Sequence, residues 1–179
     1  MISFCILPDR NTICNGYIVP FVIHDETSVI LFPSGSLWLR PNPVYNKFYE
    51  HNPHKMKYND VFPTSFMSHG TEYKYAFFVK QGNGDIDASV TNCLMEAKKK
   101  AITKAYLPLF LMGNSNISDE TIVRLMINAA EAFEKNNAVS MQIYFALNER
   151  QYTEHRDIFM TKDIPFSGVW NPAIKALVA

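Results

Sequence analysis

Seven glycines in 179 residues fall well short of the usual ~7%, which argues against several glycine-rich phosphate loops in one domain. Cysteine is also sparse. Cys5, Cys14 and Cys93 leave one thiol unpaired under any pairing and form no C-x-x-C, the usage of a reduced, intracellular chain. Neither sign of charge is in excess: 17 Lys and Arg balance 17 Asp and Glu. A dominant electrostatic footprint for nucleic acid or an anionic membrane is therefore not expected, although a local patch could persist. No window approaches the ~18 consecutive apolar residues of a membrane span. The start MISFCILPDR lacks the charged segment, long apolar run and cleavage site of a signal peptide. The expected location is the cytoplasm, with no membrane partner.

Hydrophobic residues make up 47% of the chain and charged residues 19%, which excludes disorder and supplies a core without disulfide staples. The first half holds most of the ten prolines, between short apolar runs that read as strands: Ile2 to Leu7, Tyr17 to Ile23, Ser28 to Phe32 and Tyr75 to Val79. Pro20 should push the second of these to an edge or bend. Pro43 at a first helical position predicts a short helix with Val44 and Phe48 inward. From Asp87, read as an N-cap, apolar positions run Val90, Cys93, Leu94, Ala97, Ala101 and Ala105 at helical spacing. Tyr106 to Met112 follows as a buried strand. Ser118 caps a second long helix with Asp119 and Glu120 in its first turn, and Lys135-Asn136-Asn137 ends it. Met141 to Leu147 is a strand and Glu149 to Phe159 a helix. Asn171-Pro172 signals a short terminal helix. Helix and strand in alternation predict a mainly parallel sheet with helical crossovers, in a single α/β domain over residues 1–179.

Several of these segments together resemble macro domains, the ADP-ribose-binding α/β/α modules. The carriers are Asn92-Cys93 near a helix start, Leu107-Pro108-Leu109 at a strand end, the Gly113 turn, the helix from Ser118, and Ile143-Tyr144-Phe145. Upstream, Pro63-Thr64 followed by Lys74-Tyr75-Ala76-Phe77-Phe78 is similar to the family's P-T-G and K-Y-V-I-H segments, and Gly16-Tyr17-Ile18 to its G-D-I. The resemblance covers about 140 residues. It implies a three-layer α/β/α fold with a mixed, mainly parallel sheet, and a nucleotide or phosphate ligand with no resident cofactor or metal.

The site segments depart from the family pattern. Phe32-Pro33-Ser34-Gly35 stands where the family has N-A-A-N, and Tyr17 where an acid would meet adenine. Pro41-Asn42-Pro43 replaces a glycine triplet, and proline cannot donate to a phosphate nest. Of the glycines, only Gly35 and Gly113 fall on the resembled ligand loops. The ligand cleft is expected between loops 33 to 43, 113 to 117 and 148 to 151. Arg40, Gly113, Asn114, Ser115 and Asn116 would meet phosphates, Tyr17 or Tyr144 the base, and Ser34, Gly35 and Ser36 the distal ribose. Asn148 stands at a strand's carboxyl end, where open α/β sheets bind ligands. Binding is expected rather than turnover, with weak ADP-ribose hydrolysis as the chemistry the resemblance allows. The alternative is a degenerate fold serving as a protein- or RNA-interaction module, with Lys98-Lys99-Lys100 as its basic run.

Other polar clusters carry less. His51-x-x-His54 near Asp60 has metal-ligand residue types, but Pro53 intervenes and no third ligand is specified, so both read as surface histidines. His69 lacks a nucleophile or an orienting carboxylate at fixed spacing. Cys5 and Cys93 read as core residues.

Overall fold

The computed structural model describes residues 1–6, 16–24, 29–32, 43–68, 72–111, 116–138 and 140–169. Eight strands form the sheet: β1 (Ile2–Ile6), β2 (Gly16–His24), β3 (Val29–Leu31), β4 (Val61–Ser68), β5 (Glu72–Lys80), β6 (Lys104–Pro108), β7 (Gln142–Leu147) and β8 (Phe166–Val169). Four helices accompany them: α1 (Pro43–Glu50), α2 (Ile86–Lys99), α3 (Asp119–Asn136) and α4 (Glu149–Thr161), with a single 3-10 turn at Pro53–Lys55. The strand order is β4-β5-β2-β6-β7-β1-β8, with β3 paired to β2 off that path. From β5 to β8 every neighbour is parallel. The hairpin β4–β5 and the β2–β3 pair are antiparallel.

Strict alternation along the central strands divides the core in two. Phe4, Ile18, Phe77, Val79, Leu107, Ile143 and Phe145 face α2, α3 and α4. Cys5, Tyr17, Val19, Phe21, Phe78, Tyr106 and Ala146 face the other way, where Phe48 of α1 packs. This gives three layers, helix on sheet on helix. It also explains why β1 is almost wholly apolar, with Ser3 its one polar residue: all five of its residues are buried, as in parallel strands covered on both faces.

Several predicted boundaries shift. Asp85, not Asp87, caps α2, its side chain accepting from the Ala88 N–H at 3.0 Å. The helix stops at Lys99. Ala101 takes a left-handed φ of 54° and Ala105 lies in β6, buried, so the helical spacing ran on by coincidence. The strand after it ends at Pro108, because Leu109 onward leaves the ladder with β7. Strands β4 and β8 were not foreseen.

Pro20 occupies a central strand rather than an edge. The Phe21 carbonyl takes the Gln81 N–H on the β5 side at 2.8 Å. Backbone groups alternate in direction, so the Pro20 nitrogen points away from β5, past the point at Tyr17 where the β6 ladder ends. The terminal helix predicted at Asn171-Pro172 lies outside the described residues. Among those described, no helix is long and apolar enough to cross a membrane.

Candidate functional site

In a parallel sheet fed by crossovers, every helix begins where a strand ends, and α2, α3 and α4 all start at the carboxyl edge. Two observations bring these starts near one another. A Cβ on Gly84, just before α2, would lie 3.6 Å from Ile117 Cδ1, just before α3. Arg150, in the first turn of α4, is felt electrostatically by Asp119 in the first turn of α3. The edge therefore presents three adjacent helix N-termini, each with backbone N–H groups and the positive end of a helix dipole directed outward.

The turn from β5 into α2 is the best-defined wall of this edge. It reads Gln81-Gly82-Asn83-Gly84-Asp85, with Gly82 at φ 135° and Gly84 at φ 76°. Those angles need glycine, and a Cβ on Gly82 would also come within 2.8 Å of the Tyr58 ring. Asn83 Oδ1 accepts the Asp85 N–H at 3.0 Å. Beneath the turn lies a buried polar chain. Gln81 Nε2 donates to Ser89 Oγ at 2.6 Å, and Ser89 Oγ donates to Asn59 Oδ1 at 2.5 Å. Asn59 is itself tied by its N–H to the Lys80 carbonyl at 2.8 Å. These residues were absent from the sequence-based candidates. The signal was present: a strand followed by Gly-x-Gly and a capping acid.

The helix starts are closed by their own side chains. Ser118 Oγ accepts from Thr121 N–H at 3.2 Å. Asn148, expected as a ligand residue, forms a capping box: its side chain accepts from Gln151 N–H at 2.8 Å, and Gln151 Oε1 takes the Asn148 N–H at 3.1 Å. Acids stand in every first turn, Asp87 in α2, Asp119 and Glu120 in α3, and Glu149 in α4. The arginines here are engaged by glutamates. Arg124 pairs with Glu120 and Arg150 with Glu154, each at 2.9 Å. The Arg150 hydrogen bond holds the Glu154 carboxyl below its ordinary value.

The other expected site residues are distributed as follows. Asn116 is exposed in the turn leading to Ser118. Tyr17 and Tyr144 share one rung of the sheet, with Tyr106 between them. Tyr144 stacks on Tyr106 at 4.9 Å between ring centroids and is half-buried, whereas Tyr17 is fully buried. Both lie in the amino-terminal halves of their strands, so the structure sets these two residues on one rung, two strands apart, away from the carboxyl edge at which Asn148 starts α4. Desolvation raises the Tyr144 hydroxyl above its ordinary value. Ser34, Gly35, Ser36, Arg40, Gly113, Asn114 and Ser115 lie outside the described residues, as does His69.

No group of three His, Cys, Asp or Glu residues suited to a metal occurs among the described residues. His51 instead stacks flat on Phe62, with centroids 3.8 Å apart. Burial pushes the Cys5 thiol up to about 12 and raises Cys93 as well, so neither is an activated nucleophile.

The fold is similar to solved macrodomains. The Oceanobacillus iheyensis macrodomain, solved as a point mutant with ADPR, is 12% identical with a TM-score of 0.62, covering 88% of this chain and 92% of that one. The same macrodomain solved with ADP is 13% identical at a TM-score of 0.57, covering 84% and 86%. The macro domain of ganglioside induced differentiation associated protein 2 is 8% identical at a TM-score of 0.55, covering 88% and 83%. No family model matches the chain, and no curated protein does.

Proposed function

With the macrodomain fold as its frame, we propose that the chain, one domain over residues 1–179, binds ADP-ribose or a related nucleotide or phosphate ligand at the carboxyl edge of its parallel sheet. The observation that carries this reading is the convergence of three helix starts and the Gly82–Gly84 turn on that edge, the position at which open α/β sheets bind ligands. Proteins of the same fold have been solved with ADPR and with ADP.

In this reading Arg40 and the Gly113-Asn114-Ser115-Asn116 turn meet the phosphates, Ser34, Gly35 and Ser36 the distal ribose, and Tyr144 or Tyr17 the base. Asn148 contributes by fixing the start of α4, since its side chain is already committed to the cap. Binding, rather than rapid hydrolysis, is the activity proposed, because no described residue pairs an activated nucleophile with a base.

Isothermal titration with ADP-ribose tests the reading. Saturable heat is expected, and Arg40→Ala should weaken binding by about three- to tenfold, as loss of a charge-assisted contact does. A flat trace at millimolar ligand would refute it.

One observation favours a second reading. The acids in the first turns of α2, α3 and α4 oppose an approaching diphosphate, which a module without a small-molecule site at this edge would tolerate; RNA, itself polyanionic, would instead meet the basic run at the end of α2. A gel shift with single-stranded RNA, alongside a flat ADP-ribose titration, would favour that alternative. Loss of the shift in Lys98→Ala/Lys99→Ala would assign it to the basic run.

A further inference from the structure

A cavity of about 330 Å³ opens at the outer edge of the sheet, between the end of α1, the start of β4 and the outward side of α2. It lies against the edge strand β4, and the reading proposed for the helix-start edge does not involve it. Its size is at the small end of the ~300–1,000 Å³ typical of ligand sites, enough for one long side chain.

The lining combines two chemistries. Met56 and Met95 supply flexible, polarisable thioethers, Met56 buried and Met95 exposed at the lip. The His51 ring, held flat against Phe62, adds a planar wall. The lining carries three acceptor side chains beside the His51 ring, whose N–H is a donor. Asn92 donates one Nδ2 hydrogen to the Asn59 carbonyl at 2.9 Å, and its Oδ1 is an acceptor. Asp60 uses one carboxylate oxygen on the Lys57 N–H at 3.1 Å. Glu96 is paired with Lys99 at 3.5 Å, a side chain that is 74% exposed.

A recess of acceptors and two carboxylates beside thioethers and a flat ring matches a donor-only cation on an aliphatic stem. Among side chains, the planar guanidinium serves several acceptors at once and stacks on rings, whereas an ammonium is a hydrated point charge. We infer that this cavity receives an arginine side chain from a partner protein. The stem lies along Met56 and Met95, and the guanidinium displaces Lys99 to bond Glu96, Asp60 and Asn92.

The probe is the peptide acetyl-Gly-Arg-Gly-amide, titrated in the absence of nucleotide into full-length protein carrying ¹³C-methyl methionine. The Met56 and Met95 methyl resonances should move saturably at millimolar peptide. The citrulline and lysine counterparts should bind several-fold more weakly. Asp60→Asn/Glu96→Gln, whose acid positions lie at the cavity wall rather than in the core, should weaken the arginine peptide about tenfold while leaving the thermal midpoint within a few degrees. Methyl resonances that stay still at millimolar peptide overturn the inference, as does an equal response to citrulline or lysine, or an undiminished response in a double variant with an unchanged midpoint. Because no nucleotide is present, none of these outcomes bears on ADP-ribose binding.

Discussion

Ser89 shows how much one buried hydroxyl can organise. It sits on the inner face of α2, fully buried, and its Oγ accepts from Gln81 while donating to Asn59. Through these two bonds the helix, the end of β5 and the segment leading into β4 are joined beneath the Gly82–Gly84 turn. Ser89→Ala removes the shared partner and leaves two buried amides short of a bond each. The cost should be about 2 kcal/mol, within the range for stranding buried polar groups. Urea unfolding should show it as a lower midpoint with an unchanged slope, and hydrogen exchange should rise at Gln81 and Gly82. An unchanged midpoint would mean that the amides find other partners. Nothing in the sequence marked Ser89: one serine on an apolar helix face looks like a tolerated small residue, and its partners lie 8 and 30 positions away along the chain.

Elements whose signals are local were the ones legible in the sequence. Ser118 and the acids after it gave the start of α3, and Asn137 closes it as expected. β1, β2 and β7 stood out as apolar runs because both of their faces are covered. β4 was hidden for the opposite reason. It is an edge strand whose residues VFPTSFMS mix polar and apolar positions around Pro63, and its pairing partner β5 supplies the order that its own sequence lacks. The carboxyl-edge site was partly visible. The positional rule pointed to Asn148, but only the structure shows that its side chain is occupied by the cap and that the Gly82–Gly84 turn forms a wall. On the opposite face, α1 is the only helix among the described residues, anchored by Phe48. That ring stacks on Phe78 at 4.1 Å and meets Phe21 edge-on at 4.8 Å. Phe48→Ala should cost about 3–5 kcal/mol and speed amide exchange in α1 more than in α2 or α3. Uniform loss of protection across all helices would instead mean that the two layers unfold as one.

At the scale of the whole molecule, charge follows the helices. Acids gather at the N-termini of α2, α3 and α4, and Lys98 and Lys99 close α2 while Lys135 stands in the last turn of α3, the arrangement that complements helix dipoles. The lysine run is thus explained by the end of a helix. A buried thiol stands on each side of the sheet, Cys93 on the inner face of α2 and Cys5 in β1 facing the α1 side. Cys5 tests whether that second side is closed to solvent. Burial raises its thiol from an ordinary 9.0 to about 12, so the native state keeps a proton that the unfolded chain gives up from about pH 9. The native state's protonation advantage is therefore full below pH 9 and is lost progressively as pH rises toward 12. At about pH 10 the loss from this thiol is on the order of 1 kcal/mol. Cys5→Ala should be less stable than the parent at pH 7 because it leaves a small cavity, and the deficit should shrink by about 1 kcal/mol at about pH 10, where the parent alone carries the thiol penalty. Urea unfolding of both proteins at the two pH values reads this double difference, in which titrations common to both cancel. A deficit that does not change with pH would mean that the Cys5 thiol ionises alike in the folded and unfolded chain, and that water reaches it through the side of the sheet on which α1 packs.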